Sequence, residues 1–180
     1  QLTSSRDLKH WKRLGDRQPF IAPSHVNSGA YDLATIMPPS SPIVRGDELW
    51  FYYTGSKKYG GPNPAKGVDR DQGAICLAVL RRDGFISLDA GEHLGTIITQ
   101  PFHLRGTTLK VNIDASNGMF IVEVIDDGGN VIAKSTTLNA DLPQGEVLWT
   151  KGRLSTLQGN SIRLKFTLKN SSFYSYWIEK

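Results

Sequence analysis

The side chains that could act as nucleophiles or metal ligands are widely spaced in this sequence. The single cysteine, Cys76, lies in the apolar run 74–80, where a free thiol is typical of core packing rather than catalysis. The four histidines have no zinc spacing, and there is neither a glycine-rich phosphate loop nor a Gly-x-Ser-x-Gly elbow. The sequence therefore predicts no metal site and no cofactor.

One oxygen-rich set of side chains lies in the long polar segment 55–73: Asn63, Asp69 and Asp71. Calcium prefers carboxylate and amide oxygens of this kind. The spacing departs from the Asp-x-Asp-x-Asp-Gly pattern with its distant glutamate, so a solvated surface loop is the favoured interpretation.

Four tryptophans could offer rings for stacking on sugars: Trp11, Trp50, Trp149 and Trp177. Trp50 lies in an apolar run and Trp177 in an aromatic one, so we expect both to pack in a core. Trp149 adjoins the polar turn 151–153, and we expect it to be the most exposed of the four. It is the tryptophan predicted to bind a carbohydrate ligand.

Composition limits the class of protein. The 180 residues suffice for one ordinary domain or two small ones, and 39% apolar with 21% charged residues is typical of a folded chain. No apolar run approaches the roughly 18 residues of a membrane helix, so no membrane partner is predicted. The net charge of +4 is spread along the chain without a reading module, so no nucleic-acid partner is predicted.

The first half of the sequence predicts short strands joined by turns. Residues 1–48 are loop-like, with a proline-rich turn at 37–42. Residues 49–54 are rich in β-formers and predict a strand with both faces covered. Residues 74–81 predict a second strand, which the Asp-Gly turn at 83–84 would connect as a hairpin to 85–88.

The second half changes to polar–apolar alternation, for example in 108–114 and 161–169. Period-two alternation indicates strands with one buried and one solvated face. Asn117-Gly118 and the run 127–130 predict hairpin turns. We therefore expect an all-β chain, with a β-segment over 1–90 and an antiparallel β-sandwich over 91–180.

Two strings of acidic and aromatic residues mark the N-terminal half: SRDLxxW at 5–11 and GDELWFYYTG at 46–55. They resemble blade sequences of the five-bladed β-propeller glycosidases of the family 43 and family 32 kind. Residues 77–90 resemble the end of the closing blade in a group of these proteins in which a β-sandwich follows. The resemblance implies one propeller-like blade, plus the closing strand of another, and then the sandwich.

The resemblance also implies where the chemistry lies. Glycoside hydrolysis needs a proton-donating carboxyl group and a second carboxylate as nucleophile or base. In these families the catalytic carboxylates lie on earlier blades, and no residue of this chain matches them, so no catalytic residue is predicted.

Sugar-binding residues are implied in the last blade. Residues 29–36 would be its inner strand, with Tyr31 stacking on a pyranose and Asp32 accepting from a sugar hydroxyl. Alternatively, Asp32 caps a strand end or bonds the backbone of a turn. His25 could bind sugar at the cavity rim or be an ordinary surface histidine.

These observations predict a C-terminal, non-catalytic segment of a glycosidase-like, carbohydrate-active protein, in which the sandwich braces the propeller. A lone blade exposes apolar faces, so the expected partners are carbohydrate and either missing N-terminal blades or a partner chain. The expected location is extracellular or periplasmic. The alternatives are an autonomous carbohydrate-binding β-sandwich module and a purely structural interaction domain.

Overall fold

Half of the residues lie in β-strands and 4% in short helical turns, which confirms the predicted all-β class. The computed structural model describes residues 1–58 and 71–180. The chain divides into two units, Gln1–Arg82 and Asp83–Lys180, whereas the sequence placed the boundary between residues 90 and 91. Within the described ranges, no helix is long and apolar enough to cross a membrane.

The described residues of the N-terminal unit form six strands: β1 (Thr3–Ser4), β2 (Lys12–Arg13), β3 (Thr35–Met37), β4 (Ile43–Arg45), β5 (Glu48–Ser56) and β6 (Gly73–Arg81). β1 and β2 form a separate two-stranded ribbon. β5 is the centre of the main sheet, since β6 pairs with its whole length on one side and β3 and β4 pair with the other side. All of these pairings are antiparallel.

β3 and β4 are two parts of one interrupted edge strand. Met37 pairs with Thr54 and Ile43 with Trp50, so the segment between them contains two residues more than the facing part of β5. Three of the intervening residues are prolines, which cannot donate to a sheet ladder. The predicted proline-rich turn is therefore a wide bulge at the sheet edge.

The predicted hairpin after β6 is wrong. A turn does form at Arg82 and Asp83. The chain beyond it does not return to β6, because the next strand, β7 (Leu88–Ala90), pairs with the C-terminal strand of the second unit. A local Asp-Gly signal specifies a turn but not the strand that the following residues will meet. The main sheet is thus a meander without the fourth strand of a propeller blade in the described part of the chain.

The two faces of this sheet differ, because side chains alternate along each strand. The covered face includes Leu49 and Phe51, and the Phe20 ring packs edge-on against Phe51 with ring centroids 5.8 Å apart. We define the open face by six large side chains on the other side: Ile43, Trp50, Tyr52, Ile75, Leu77 and Val79. Tyr52 is 43% exposed, so the prediction that the strand over 49–54 is covered on both faces is wrong.

The C-terminal unit contains β7 and nine further strands: β8 (Gly95–Ile98), β9 (Phe102–His103), β10 (Thr108–Asp114), β11 (Met119–Ile125), β12 (Val131–Ser135), β13 (Asp141–Glu146), β14 (Trp149–Lys151), β15 (Ser161–Lys169) and β16 (Ser171–Glu179). One sheet has the order β13-β10-β16-β7. The other has the order β14-β12-β11-β15-β8, with β9 also on β15. A single 3-10 turn, Leu154–Leu157, precedes β15.

The two sheets of this unit enclose one apolar core, as expected for a sandwich. The alternation in 161–169 correctly predicted which side chains are buried there. In 108–114 it is wrong at Asn112, which was expected on the solvated face but is buried beside a shift of the β10–β16 register. The Phe166 ring lies at the centre, with its centroid 5.7 Å from that of Phe120 and 4.7 Å from that of Phe173.

The hairpin predicted at Asn117 and Gly118 is wrong, because the turn there connects β10 to β11, which belong to different sheets and do not pair. The hairpin predicted at 127–130 is confirmed, since β11 pairs with β12.

Candidate functional site

Asp32 lies beneath the covered face of the N-terminal sheet. The inner strand expected over 29–36 is reduced to β3, so Asp32 precedes the strand rather than lying on it. Gly55 permits this close approach, because a Cβ atom there would lie 2.8 Å from the Cβ of Asp32. As a result, Asp32 is only 6% exposed.

Two hydroxyl groups satisfy the Asp32 carboxylate. The side chain of Ser24 donates to it, and Tyr53 Oη donates to Oδ2 at 2.6 Å. These hydrogen bonds, first that of Ser24 and then that of Tyr53, hold the pKa of Asp32 below its ordinary value of 3.8, although burial opposes them. The bond to Asp32, together with burial, raises the pKa of Tyr53 well above 10.0. Asp32 is thus a fixed anion at neutral pH and not a proton donor.

This geometry favours an internal role for Asp32. A sugar hydroxyl could bind its carboxylate only by competing with donors that the protein already supplies. The backbone also engages the residue, since the Ser24 amide donates to the Asp32 carbonyl at 3.1 Å. The ligand role of Asp32 stays a prediction.

Tyr31 belongs to a different, solvated cluster at the end of the same sheet. Its hydroxyl donates to Asp71 Oδ1 at 2.6 Å, and Lys57 Nζ donates to Asp71 Oδ2 at 2.7 Å. The Lys57 ammonium also lies 4.2 Å from the centroid of the Tyr31 ring. The hydrogen bonds from Lys57 and Tyr31 hold the pKa of Asp71 below its ordinary value. A sugar stacking on Tyr31 would therefore have to use the ring face that Lys57 leaves uncovered.

His25 lies in an exposed turn of the N-terminal unit. Its carbonyl accepts a hydrogen bond from the Ser28 amide at 3.1 Å, and Asn27 and Gly29 adopt positive φ values of 70° and 75°. The turn is built by backbone geometry and leaves the imidazole in solvent. The Asp32 carboxylate is held by Ser24 and Tyr53, and its interactions do not include the His25 side chain.

Trp149 is not the most exposed tryptophan, so that expectation is wrong. It lies half-buried on β14 opposite Ser135 and packs against the sandwich core. Trp11 is 58% exposed instead, and its Nε1 donates to the Leu8 carbonyl at 3.3 Å. The expected polar turn at 151–153 is wrong in part, because Lys151 belongs to β14 and pairs with Lys134, while Trp149 pairs with Ser135 and its ring packs on the core.

Asp7, in the SRDLxxW string, organises a solvated turn. Its Oδ1 accepts from the backbone amides of Lys9 at 2.9 Å and His10 at 2.8 Å, while Oδ2 lies 2.6 Å from His10 Nδ1. These bonds, led by that of the His10 side chain, hold the pKa of Asp7 far below its ordinary value. The motif therefore has a local structural function.

The described residues contain no group of three or more His, Cys, Asp or Glu side chains that could hold a metal ion. Of the oxygen-rich set in the sequence, Asn63 and Asp69 lie outside the described residues. Asp71 is occupied by Lys57 and Tyr31.

The residues that bond Asp32 and Tyr31, namely Tyr53 and Asp71 with Lys57, were not predicted as their partners. Tyr53 shares the sheet face of Leu49 and Phe51, and a hydroxyl on a covered face requires a partner. The position of Tyr53 on this face could therefore have predicted that its hydroxyl donates to a buried acceptor. Lys57 and Asp71 lie 14 residues apart and meet only because β5 and β6 pair along their full length.

Comparisons with protein-family models, with curated proteins and with solved structures found no match to this chain.

Proposed function

We propose that this chain is a non-catalytic segment of a glycosidase-like, carbohydrate-active protein. In this proposal the open face of the N-terminal sheet packs against a neighbouring blade-like sheet, and the sandwich braces the assembly. The observation that carries the proposal is the open face itself, an apolar surface on a sheet whose opposite face is already packed.

The size of the open face supports a protein partner. Its side chains are between 41% and 76% exposed, apart from the half-buried Trp50. Together they expose on the order of 500 Å², which matches the largest apolar patches of monomers and more than half of one side of a standard interface. Sheets commonly bury such faces by packing on another sheet about 10 Å away.

The surroundings of Trp50 favour a sheet over a sugar as the occupant. Glu48 Oε2 accepts from the indole Nε1 at 2.7 Å, and the Arg45 guanidinium lies 4.2 Å from the ring centroid. The polar atom of the indole is thus satisfied, and Arg45 occupies one face of the ring. The exposed part of this indole is apolar and suits packing against another side chain, whereas a pyranose would need a free ring face on which to stack.

The carboxylates of the N-terminal unit support the non-catalytic part of the proposal. A glycosidase needs one carboxyl group that holds a proton near neutral pH. The pKa values of Asp32 and Asp71 are both shifted in the opposite direction. Both carboxylates are also bonded to donors of the protein itself.

The experiment combines retention and hydrolysis. The 180-residue chain is run through gels containing a panel of polysaccharides and is incubated with aryl glycosides and the same polymers. We expect retention by at least one polysaccharide without release of aglycone or reducing ends. Hydrolysis of any of these substrates by the chain alone would overturn the non-catalytic assignment. If none of the polysaccharides retains the chain, the carbohydrate assignment is overturned.

A further inference from the structure

The outer face of the six-stranded sheet in the sandwich gathers basic side chains. We define this basic face by five residues on β12, β15 and the edge strand β14: Lys134, Lys151, Arg163, Lys165 and Lys169. The pairing register places Lys151 beside Lys134, and Glu123 between Lys134 and Lys165. On β15 the basic residues alternate with buried side chains, which directs all three of them outward.

The face is far more basic than the unit that carries it. Residues 83–180 contain nine Lys or Arg and ten Asp or Glu. Five of the nine basic residues lie on this face together with two acidic residues, Glu123 on β11 and Asp127, which accepts from Ser161 at the start of β15. The local charge is therefore +3 on a unit of net charge −1. The basic residues that look evenly spread in the sequence are therefore concentrated by strand pairing.

Glu123 orders two of the lysines without neutralising the face. Lys134 Nζ lies 3.2 Å from its Oε1 and Lys165 Nζ lies 2.9 Å from its Oε2. The Glu123 side chain is only 13% exposed, whereas that of Lys134 is 47% and that of Lys165 32% exposed. An ammonium has three donors, so each lysine keeps donors for a ligand from solvent.

We propose that the basic face binds an acidic polysaccharide through its carboxylate or sulfate groups. Polyanion binding follows from the basic face alone, and the choice of a polysaccharide rests on the proposed carbohydrate-active function. The row from Lys151 to Lys165 crosses three strand spacings, about 14 Å, and Arg163 and Lys169 lie about 20 Å apart along β15. Cations distributed over such distances fit a polymer with repeated anionic groups better than one small anion.

The composition of the face disfavours a nucleic acid. Its uncharged positions on β8, β11 and β15 are occupied by Thr96, Ile98, Met119, Ile121, Ile125 and Thr167. Proteins that bind single strands stack the bases on aromatic rings. Among the described residues, this face carries no Phe, Tyr or Trp, and its one ring is the imidazole of His103 beside Ser161 at the sheet edge. The major groove of a duplex admits a helix or a two-stranded ribbon, and a six-stranded sheet is too wide to enter it.

The test measures dissociation constants of the whole chain for polygalacturonate, dextran sulfate, neutral dextran, single-stranded DNA and phosphatidylserine vesicles. Two charge-removing variants are compared, Arg163→Gln with Lys169→Gln, and Lys134→Gln with Lys151→Gln. The matched control is Lys9→Gln with Lys12→Gln, which removes the same charge from exposed positions in the N-terminal unit. Melting temperatures establish that each variant is folded.

We expect binding to at least one acidic polysaccharide, weakened about tenfold by either face variant and by a rise from 50 to 200 mM salt, but not by the control. Equal weakening in face and control variants would overturn the assignment of the face. Tighter binding to DNA or to vesicles than to both acidic polysaccharides would overturn the ligand class. Binding to neutral dextran alone would overturn this inference but not the proposed function. Cleavage of a bound acidic polysaccharide would overturn the non-catalytic function but not the binding of that polymer by the basic face.

Discussion

The hydroxyl of Tyr53 donates a 2.6 Å hydrogen bond to Oδ2 of Asp32, joining the central strand of the N-terminal sheet to the segment that covers it. Tyr53 is 8% exposed and Asp32 6%, so neither group can exchange this partner for water at low cost. A buried carboxylate is tolerated only when it is well hydrogen-bonded. The bond therefore stabilises the covered face of the sheet.

Removing the Tyr53 hydroxyl should destabilise the N-terminal unit. Tyr53→Phe leaves the Asp32 anion with one hydroxyl donor fewer, so we expect the free energy of unfolding to fall by about 1–3 kcal/mol. The control is Tyr52→Phe, which removes a hydroxyl from the open face and should change it by less than about 0.5 kcal/mol. Urea denaturation of both variants measures the difference. Equal effects would contradict the claim that the Tyr53–Asp32 hydrogen bond stabilises the covered face.

The pH dependence of stability should reveal the same carboxylate. Because the pKa of Asp32 is lower in the folded than in the unfolded protein, its stabilising contribution is complete above its unfolded pKa and is lost as pH falls through the folded value. Asp32→Asn keeps an acceptor but cannot titrate. We expect the difference in unfolding free energy between wild type and Asp32→Asn to be constant above about pH 5 and to shrink below about pH 4. A difference that grows on acidification would mean that the folded state binds the proton instead.

The sandwich was the most predictable part of the fold. In β15 every second residue is apolar, and burial follows that alternation because a sheet face is specified by local sequence. In β10 it fails at Asn112, which is buried where the register with β16 shifts. Pairing between distant strands is not specified locally. The predicted return of residues 85–88 onto β6 failed for this reason, since β7 pairs with β16, more than 80 residues along the chain.

The turn at Gly118 should be intolerant of any side chain. A Cβ atom there would collide with the carbonyl oxygen of Lys169, which belongs to the backbone and cannot rotate away. Gly118→Ala should therefore lower the free energy of unfolding by about 1–3 kcal/mol. Gly91→Ala is the matched control, because a Cβ at Gly91 meets no atom within 4 Å. If both variants unfold alike, the close packing of the β10–β11 turn against the end of β15 is wrong.

The candidate site was predictable only in part. Residue type correctly singled out Asp32 and Tyr31 as groups with polar partners. The partners were not predictable, because Tyr53 reaches Asp32 from a strand 21 residues away and Asp71 reaches Tyr31 from 40 residues away. Adjacent residues also diverge: Asp32 is buried beneath the sheet, while Tyr31 bonds a solvated carboxylate. Sequence neighbours at a strand entry commonly face opposite ways, so one shared sugar site could not be inferred from adjacency.

The central claim is that the open face of the N-terminal sheet is surface in this chain and is available to a neighbouring sheet. The most direct measurement is the free energy of unfolding of the double variant Ile75→Thr with Val79→Thr, in which threonine keeps the preference for strand. Since Ile75 is 76% and Val79 50% exposed, we predict a change of less than about 1 kcal/mol, within the range of surface substitutions. A loss of about 3 kcal/mol or more, as expected for buried aliphatic residues, would show that the face is core within this chain and would contradict the account.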